Sequence, residues 1–456
     1  MPVCLISPDI ILLSIGNERG GGNGLLYKVT FAITFFLISL LSIKLSTVKS
    51  ASGFSVADRS LDYTGVSWVI IGTLVGGIST IGTVQTAYTH GISAWIFTLG
   101  SGVSCLLLGL FFAKGLREAG VVTVSEYLGR AFGNRFRSYC SIVNSVGMFI
   151  HIIGQFLASI AILQAVFHFS AGWAVLLTSI FIGVFVINGG IAGAGLIGKI
   201  KFFLLYIIML VSAGVALYRG GGLENILSCL PPGADMLSLR HYGLQAASVH
   251  MASMVVGVLS TQIYLQAIFS AGDVKEARNG AFLSAAVIPP LGLLGIVIGL
   301  YLRANFSEIS GGTAQALPFF LYHSFPPLIA AFFSAGILLV VLGTGAGLLL
   351  GVTTNIYNDF IDRKTKEHHL LKPLSLLRAL TLFILFCAAM LVFTGLDSAI
   401  LKWSYMSMGL RGSAVFVGLV ILVFFKTLQR SRWVVFLLYL IPVVYVLMNI
   451  NLVGES

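Results

Sequence analysis

The sequence predicts an all-α polytopic membrane protein of about 12 transmembrane helices. Ten of them form a five-plus-five inverted repeat, with one extra helix at each end. Three observations carry this. Of 456 residues, 57% are hydrophobic and only 9% charged, more apolar surface than a soluble domain can hide. The apolar residues gather into runs of roughly 20, the length that spans a bilayer. Two of those runs, in corresponding places, are interrupted by glycines and hydroxyls.

Residues 1–24 hold a short apolar run ending in GNERGGGNG. They read as a tail, since no basic segment and cleavage site frame them. The membrane domain, 25–456, begins with a helix over Tyr27 to Leu45. Spans follow at Val66 to Tyr88, Ala94 to Phe112, Tyr139 to Phe167, Trp173 to Ile187 and Ile200 to Leu217. The second half gives Leu244 to Phe269, Phe282 to Leu302, Leu328 to Ile356, Leu376 to Phe393, Ile400 to Phe425 and Trp433 to Met448.

With the N-terminus outside, the inner segments hold 20 lysines and arginines and the outer segments 5, leaving Lys402 and Arg411 inside a span. The net charge of +11 therefore reflects the positive-inside bias, not nucleic-acid binding. Cys4, Cys105, Cys140, Cys229 and Cys387 show no metal or redox spacing.

Setting the first and last helices aside leaves ten, which suit repeats at about 64–218 and 240–426. Each would open with an interrupted helix. The first interruption is GTLVGGISTIGTVQTA, Gly72 to Ala87; the second lies among His250, Ser253, Gly257, Ser260, Thr261 and Gln262. Carbonyls freed by such a break can hold an ion or solute at the midplane. Small residues that let helices pack closely explain the same pattern.

Four segments resemble the solute:sodium symporters, which have the LeuT-type fold. They are FSVADRSLDYTGVSWVIIGTLVGGIS (Phe54 to Ser79), TVSEYLGRAFGNRFR (Thr123 to Arg137), STQIYLQAIFSAGDVKEARNGA (Ser260 to Ala281), and ALPFFL with the long helix to NIYNDF (Ala316 to Phe360). The likeness spans roughly 54–425. On their own residues, SEYLGR starts a helix capped by Ser125, and AGDVKEARNG starts another with Asp273 as cap and Glu276 three residues on.

The resemblance implies a secondary transporter in which core helices one, two, six and seven rock against three, four, eight and nine. It also implies a sodium site between core helices one and eight. The residue-by-residue match gives Val75 and Ile78 on helix one, and Val340, Gly343 and Thr344 on helix eight. The family has a hydroxyl pair where this chain has Gly343 and Thr344, so one hard ligand is missing. Core helix five departs too: the family aspartate position is Gly198, and Lys199 and Lys201 follow. Either lysine substitutes for or competes with the cation, or both snorkel to the cytoplasmic surface.

Candidate solute-binding residues come from several helices. Core helix three carries Gly147, His151, Gln155 and Ser159, one every fourth residue and so on one face. Helix one offers Ser79, Thr80 and Thr83. Core helix two offers Thr98, where the family's sugar carriers have an acid, and Ser101. Core helix ten offers Tyr405 and Arg411, the latter about 17 Å along from Ile400. A guanidinium at that depth either caps open carbonyls or draws in a carboxylate. The favoured solute is therefore a small organic anion.

The 16 acidic residues lie outside the span interiors, Asp397 at an outer helix end, which argues against a carboxylate proton relay. The partners expected are the lipid bilayer, a small-molecule solute, and Na+ (favoured) or H+. No cofactor and no nucleic acid is expected, and the bacterial or archaeal plasma membrane is the expected location. No paired carboxylates, nucleophile elbow, metal cluster or phosphate loop points to an enzyme. A solute sensor on the transporter fold is the rival from another class.

Overall fold

The computed structural model describes residues 22–45, 55–231, 235–361, 373–394, 400–425 and 427–453. Most of the expected tail, and Asp397, lie outside the described residues. Among those described there is no strand, only an isolated bridge between Leu61 and Ala271. Among the described residues, eight helices are long and apolar enough to cross a membrane, and four shorter apolar helices accompany them.

The extra N-terminal helix is α1 (Gly22–Leu45). Core helix one is divided into α2 (Tyr63–Leu74) and α3 (Thr83–His90), joined through a π-turn at Ile78–Gly82. Next come α4 (Trp95–Leu107), the short α5 (Val124–Phe132) and α6 (Asn134–Phe167). The runs at Trp173 to Ile187 and Ile200 to Leu217 fall in one helical element, α7 (Ala171–Arg219).

The second half opens with another divided helix, α8 (Leu244–Val258) and α9 (Gln262–Phe269). Then follow α10 (Val274–Asn305), α11 (Pro327–Ile356), α12 (Pro373–Phe393), α13 (Ile400–Phe424) and α14 (Arg432–Val453). Both glycine-interrupted runs are thus broken helices, as an inverted repeat requires.

Helix α11 is the buried axis, packed on α1, α6, α7 and the broken α2. Almost every residue from Ala330 to Asn355 is buried on it. Helix α13 crosses α6 and α8, while α10 joins α4 and α2. The Tyr27 hydroxyl on α1 donates to Ser334 on α11 at 3.0 Å, which docks the extra helix.

One cap differs from the sequence reading. Helix α5 is capped by Thr123, whose hydroxyl accepts from the Glu126 amide at 3.0 Å. Ser125 instead lies one residue inside the helix and is buried. The backbone turns extended at Thr123, and only a residue at that turn can aim its oxygen at the third amide on. Asp273 caps α10 as expected, accepting from Glu276 at 2.8 Å. Glu276 does not fold back on the cap but accepts from the Tyr63 amide, tying α10 to the start of α2.

The inner side is closed. Arg137 pairs with the buried Asp359 at 2.8 Å, and Thr123 donates to the same carboxylate oxygen at 3.0 Å. Gln262 accepts from the Val124 amide and donates to the Val122 carbonyl, both at 2.9 Å. Arg117 donates to the Ala271 and Gly272 carbonyls. The two loops that look most like the family are therefore docked on each other.

Candidate ion and solute site

The break in core helix one follows from one diverted hydrogen bond. In an unbroken helix the Gly76 amide would bond the Gly72 carbonyl. It donates instead to the Ser79 hydroxyl at 2.8 Å. A side chain offering the backbone this alternative competes with the helix. Val75 turns extended (φ −90°, ψ 104°), and the Gly72 and Val75 carbonyls face α11. The Gly77 amide, also out of the ladder, donates to Gln155 Oε1 at 3.0 Å. A Cβ on Gly76 would lie 2.5 Å from Thr344 Oγ1, and one on Gly77 2.5 Å from the Ala158 methyl. Glycine is required at both for this approach.

Thr344 Oγ1 sits 3.2 Å from the Gly72 carbonyl and 3.1 Å from those of Val75 and Val340. Its single hydrogen serves one of them at a time. The positive partner at this junction is Lys201. Its Nζ donates to the Gly72 carbonyl and, at 2.7 Å, to Thr344 Oγ1. The residue is only 2% exposed. Lys199 is exposed at the helix surface, as a snorkelling lysine would be.

The sequence departures of this region share one geometry. A Cβ on Gly198 would come within 2.1 Å of the Trp68 carbonyl, so glycine lets α7 lie directly on α2. A Cβ on Gly343 would meet the Lys201 stem, 2.9 Å from its Cδ. The glycine that lacks the family hydroxyl thereby makes room for the lysine. Ile78 starts the π-turn, with its side chain against Gly154.

The polar face of α6 looks into protein rather than lipid. The Ser407 hydroxyl donates to the Gly147 carbonyl at 2.5 Å, and Ser159 meets Thr178 at 2.7 Å. Arg411, fully buried, donates through Nη2 to Ser407 Oγ at 2.9 Å and through Nε to the Ser407 carbonyl at 3.2 Å. Its Nη2 also lies 3.1 Å from His151 Nδ1. The Tyr264 hydroxyl lies beside the Arg411 guanidinium as a hydrogen-bonding neighbour, and His151 Nε2 meets no partner among the described residues. No carboxylate pairs with Arg411 among the described residues.

A cavity of about 860 Å³ opens between the outer ends of the broken helices and α13. Of the expected solute residues it is lined by Tyr405. Tyr405 stacks on His250 with ring centroids 4.1 Å apart, and the Tyr242 hydroxyl bonds that imidazole at 2.7 Å. Gln85, Thr86, His90, Gln245 and Lys402 are among the other polar lining residues, and no carboxylate is among those described.

The other expected residues lie below or beside this space. Ser79 and Thr80 donate to the Gly76 carbonyl at 3.0 and 2.7 Å. Thr83 is buried near Gly295 with its hydroxyl unpartnered. Thr98 packs on Gly292, and Ser101 donates to the Phe97 carbonyl. The sequence reading missed the Gly72 carbonyl and the roles of Tyr242, His250 and Lys402. Gly72 opens the glycine-rich stretch, which was the available signal. The outer loop bearing Tyr242 offered none.

Among the described residues, two broken helices cross a buried axis, with a cavity between their outer ends. The Sodium:solute symporter family matches residues 54–432, and the chain belongs to that family. Its members use Na+ as a coupling ion rather than a bound cofactor. The high-affinity choline transporter 1 of Drosophila melanogaster is 22% identical over 74% of this chain and 58% of its own length. An uncharacterized symporter of Bacillus subtilis is 21% identical over 74% and 66%. The sodium/glucose cotransporter of Vibrio parahaemolyticus is 19% identical over 72% and 67%. The chain thus spans between 58% and 67% of the length of these relatives. A Na+-coupled sialic acid symporter, solved substrate-bound and outward-open, superposes with a TM-score of 0.74 at 15% identity, over 95% of this chain and 98% of that one. That likeness shows the fold.

Proposed function

We propose that the chain is a secondary active transporter that imports a small organic anion by alternating access, driven by a cation gradient. The plasma membrane is the fitting location. The single observation that carries this is a pair of broken helices beneath a cavity open outside and sealed inside by Arg137, Asp359 and Thr123. Binding at such a break while one gate is shut is what alternating access requires.

The anion reading rests on charge. Lys402 and two histidines line the cavity, whose described lining residues include no carboxylate, and deeper down Arg411 has no acidic partner among the described residues. The cationic side chains of that lining also disfavour the cation named for the choline relatives. Family membership supports a sodium gradient. A proton-coupled or sodium-independent cycle is the second reading, favoured by Lys201 at the ion position.

The test is uptake into proteoliposomes of labelled monocarboxylates, dicarboxylates, sialic acid, glucose and choline, under imposed sodium or proton gradients. One anion is expected to accumulate, and Arg411→Ala and Lys402→Gln should each cut its uptake about tenfold or more, as loss of a charged hydrogen bond worth roughly 1.5–3 kcal/mol implies. Saturable binding without flux would favour the sensor.

A further inference from the structure

We infer that the ammonium of Lys201 is the resident cation at the junction of the two core helices, so that this position takes no sodium ion. The proposal rests on the transporter reading only in supposing that the junction opens and closes during a cycle.

Four features converge. The Lys201 Nζ already donates to the Gly72 carbonyl and to Thr344 Oγ1. The oxygens it meets, those of Gly72 and Thr344, are neutral, as are the Val75 and Val340 carbonyls that surround Thr344 Oγ1. A sodium ion added among them would sit against the lysine's positive charge, with no carboxylate paired to it among the described residues, in a site of low dielectric. Gly343 and Gly198 then fit the lysine rather than the ion: one makes room for its stem, the other brings α7 onto α2. The sodium set expected from the family does not fit while the lysine is in place.

A snorkelling lysine would reach outward to water, as the exposed Lys199 does on the same helix. Lys201 instead runs inward and ends on the very carbonyl that the Ser79 hydroxyl frees by diverting the Gly76 amide. A tethered ammonium with three donors can hold α2, α7 and α11 together, the task a bound ion performs in this architecture.

The experiment uses the full chain with Ala246→Cys at the cavity wall, in a background carrying Cys4→Ser, Cys229→Ser and Cys387→Ser. Maleimide labelling rate reports the outward-open population in sodium chloride or N-methyl-D-glucamine chloride. Binding of radioactive Na+ is measured alongside.

Labelling of the otherwise unaltered protein is expected to differ less than twofold between the salts, and any Na+ binding is expected to survive Thr344→Ala. Lys201→Ala is expected to label at least fivefold more slowly without sodium, and to recover in sodium or ammonium chloride. Na+ binding that Thr344→Ala removes overturns the proposal. So does a folded Lys201→Ala protein that labels alike in both salts. If that variant does not fold, Thr344→Ala alone decides: Na+ binding that it abolishes refutes the inference and binding that it spares supports it. Both readouts register without a known solute, so failure of the transporter reading, seen as absent flux, is distinct from failure here.

Discussion

The two broken helices open their halves with the same chemistry, small residues and hydroxyls, yet their freed backbone groups meet different partners. At the first break the Gly72 carbonyl meets a cation, Lys201, in a junction buried on all sides. At the second the Ser260 carbonyl accepts from the Asn144 amide at 2.5 Å, and Gln262 bonds the backbone of the inner loop. One break is built around charge and the other around neutral amides that also seal the cytoplasmic side. A broken helix therefore specifies that oxygens are available, while the neighbouring helices decide what fills them.

The largest expected effect comes from closing the first break sterically. Gly76→Ala drives a methyl into Thr344, and overpacking of this kind costs about 1–3 kcal/mol. Uptake should fall about fivefold to a hundredfold, at 1.4 kcal/mol per factor of ten, with the protein still dispersed on size-exclusion chromatography. Uptake at the level of the unaltered chain would mean the helices need not touch there.

A smaller effect is expected at the second break. Asn144→Ala strands the buried Ser260 carbonyl, which costs about 1–3 kcal/mol. The melting midpoint should drop while the labelling response to sodium stays that of the parent chain. A new sodium response would erase the distinction between the two breaks.

The smallest is Ser79→Ala. It returns the Gly76 amide to the Gly72 carbonyl and removes one hydroxyl, for about 1 kcal/mol or less in stability. Because that carbonyl then holds Lys201 less firmly, labelling should slow modestly without sodium and sodium should speed it, about twofold. A response as large as that of Lys201→Ala would show that the Ser79 diversion, not the ammonium, sets the junction.

Much of the architecture was legible because lipid imposes it: span length, loop charge and interrupted helices all follow from the cost of bare backbone in hydrocarbon. Thr344 and the Val75 and Val340 carbonyls were placed on facing helices through the family likeness, and the chain brings them within 3.1 Å. The solute residues were harder. His151 and Gln155 share a face as their spacing says, but which helix they meet depends on crossing geometry. Gln155 turned out to hold the Gly77 amide and His151 to touch Arg411. Lys199 and Lys201 were indistinguishable by composition. They lie two positions apart on one helix, some 200° around its axis, so one faces out and the other faces the junction.

By itself the sequence determined a helical membrane protein with two breaks at matching depths, because apolar length and unpaired backbone are local properties that each run carries alone. The tertiary structure decided what each break holds. Three helices distant in sequence must approach to within a glycine's width before a lysine on one can reach the carbonyl of another, and that distance is written in no single stretch of the chain.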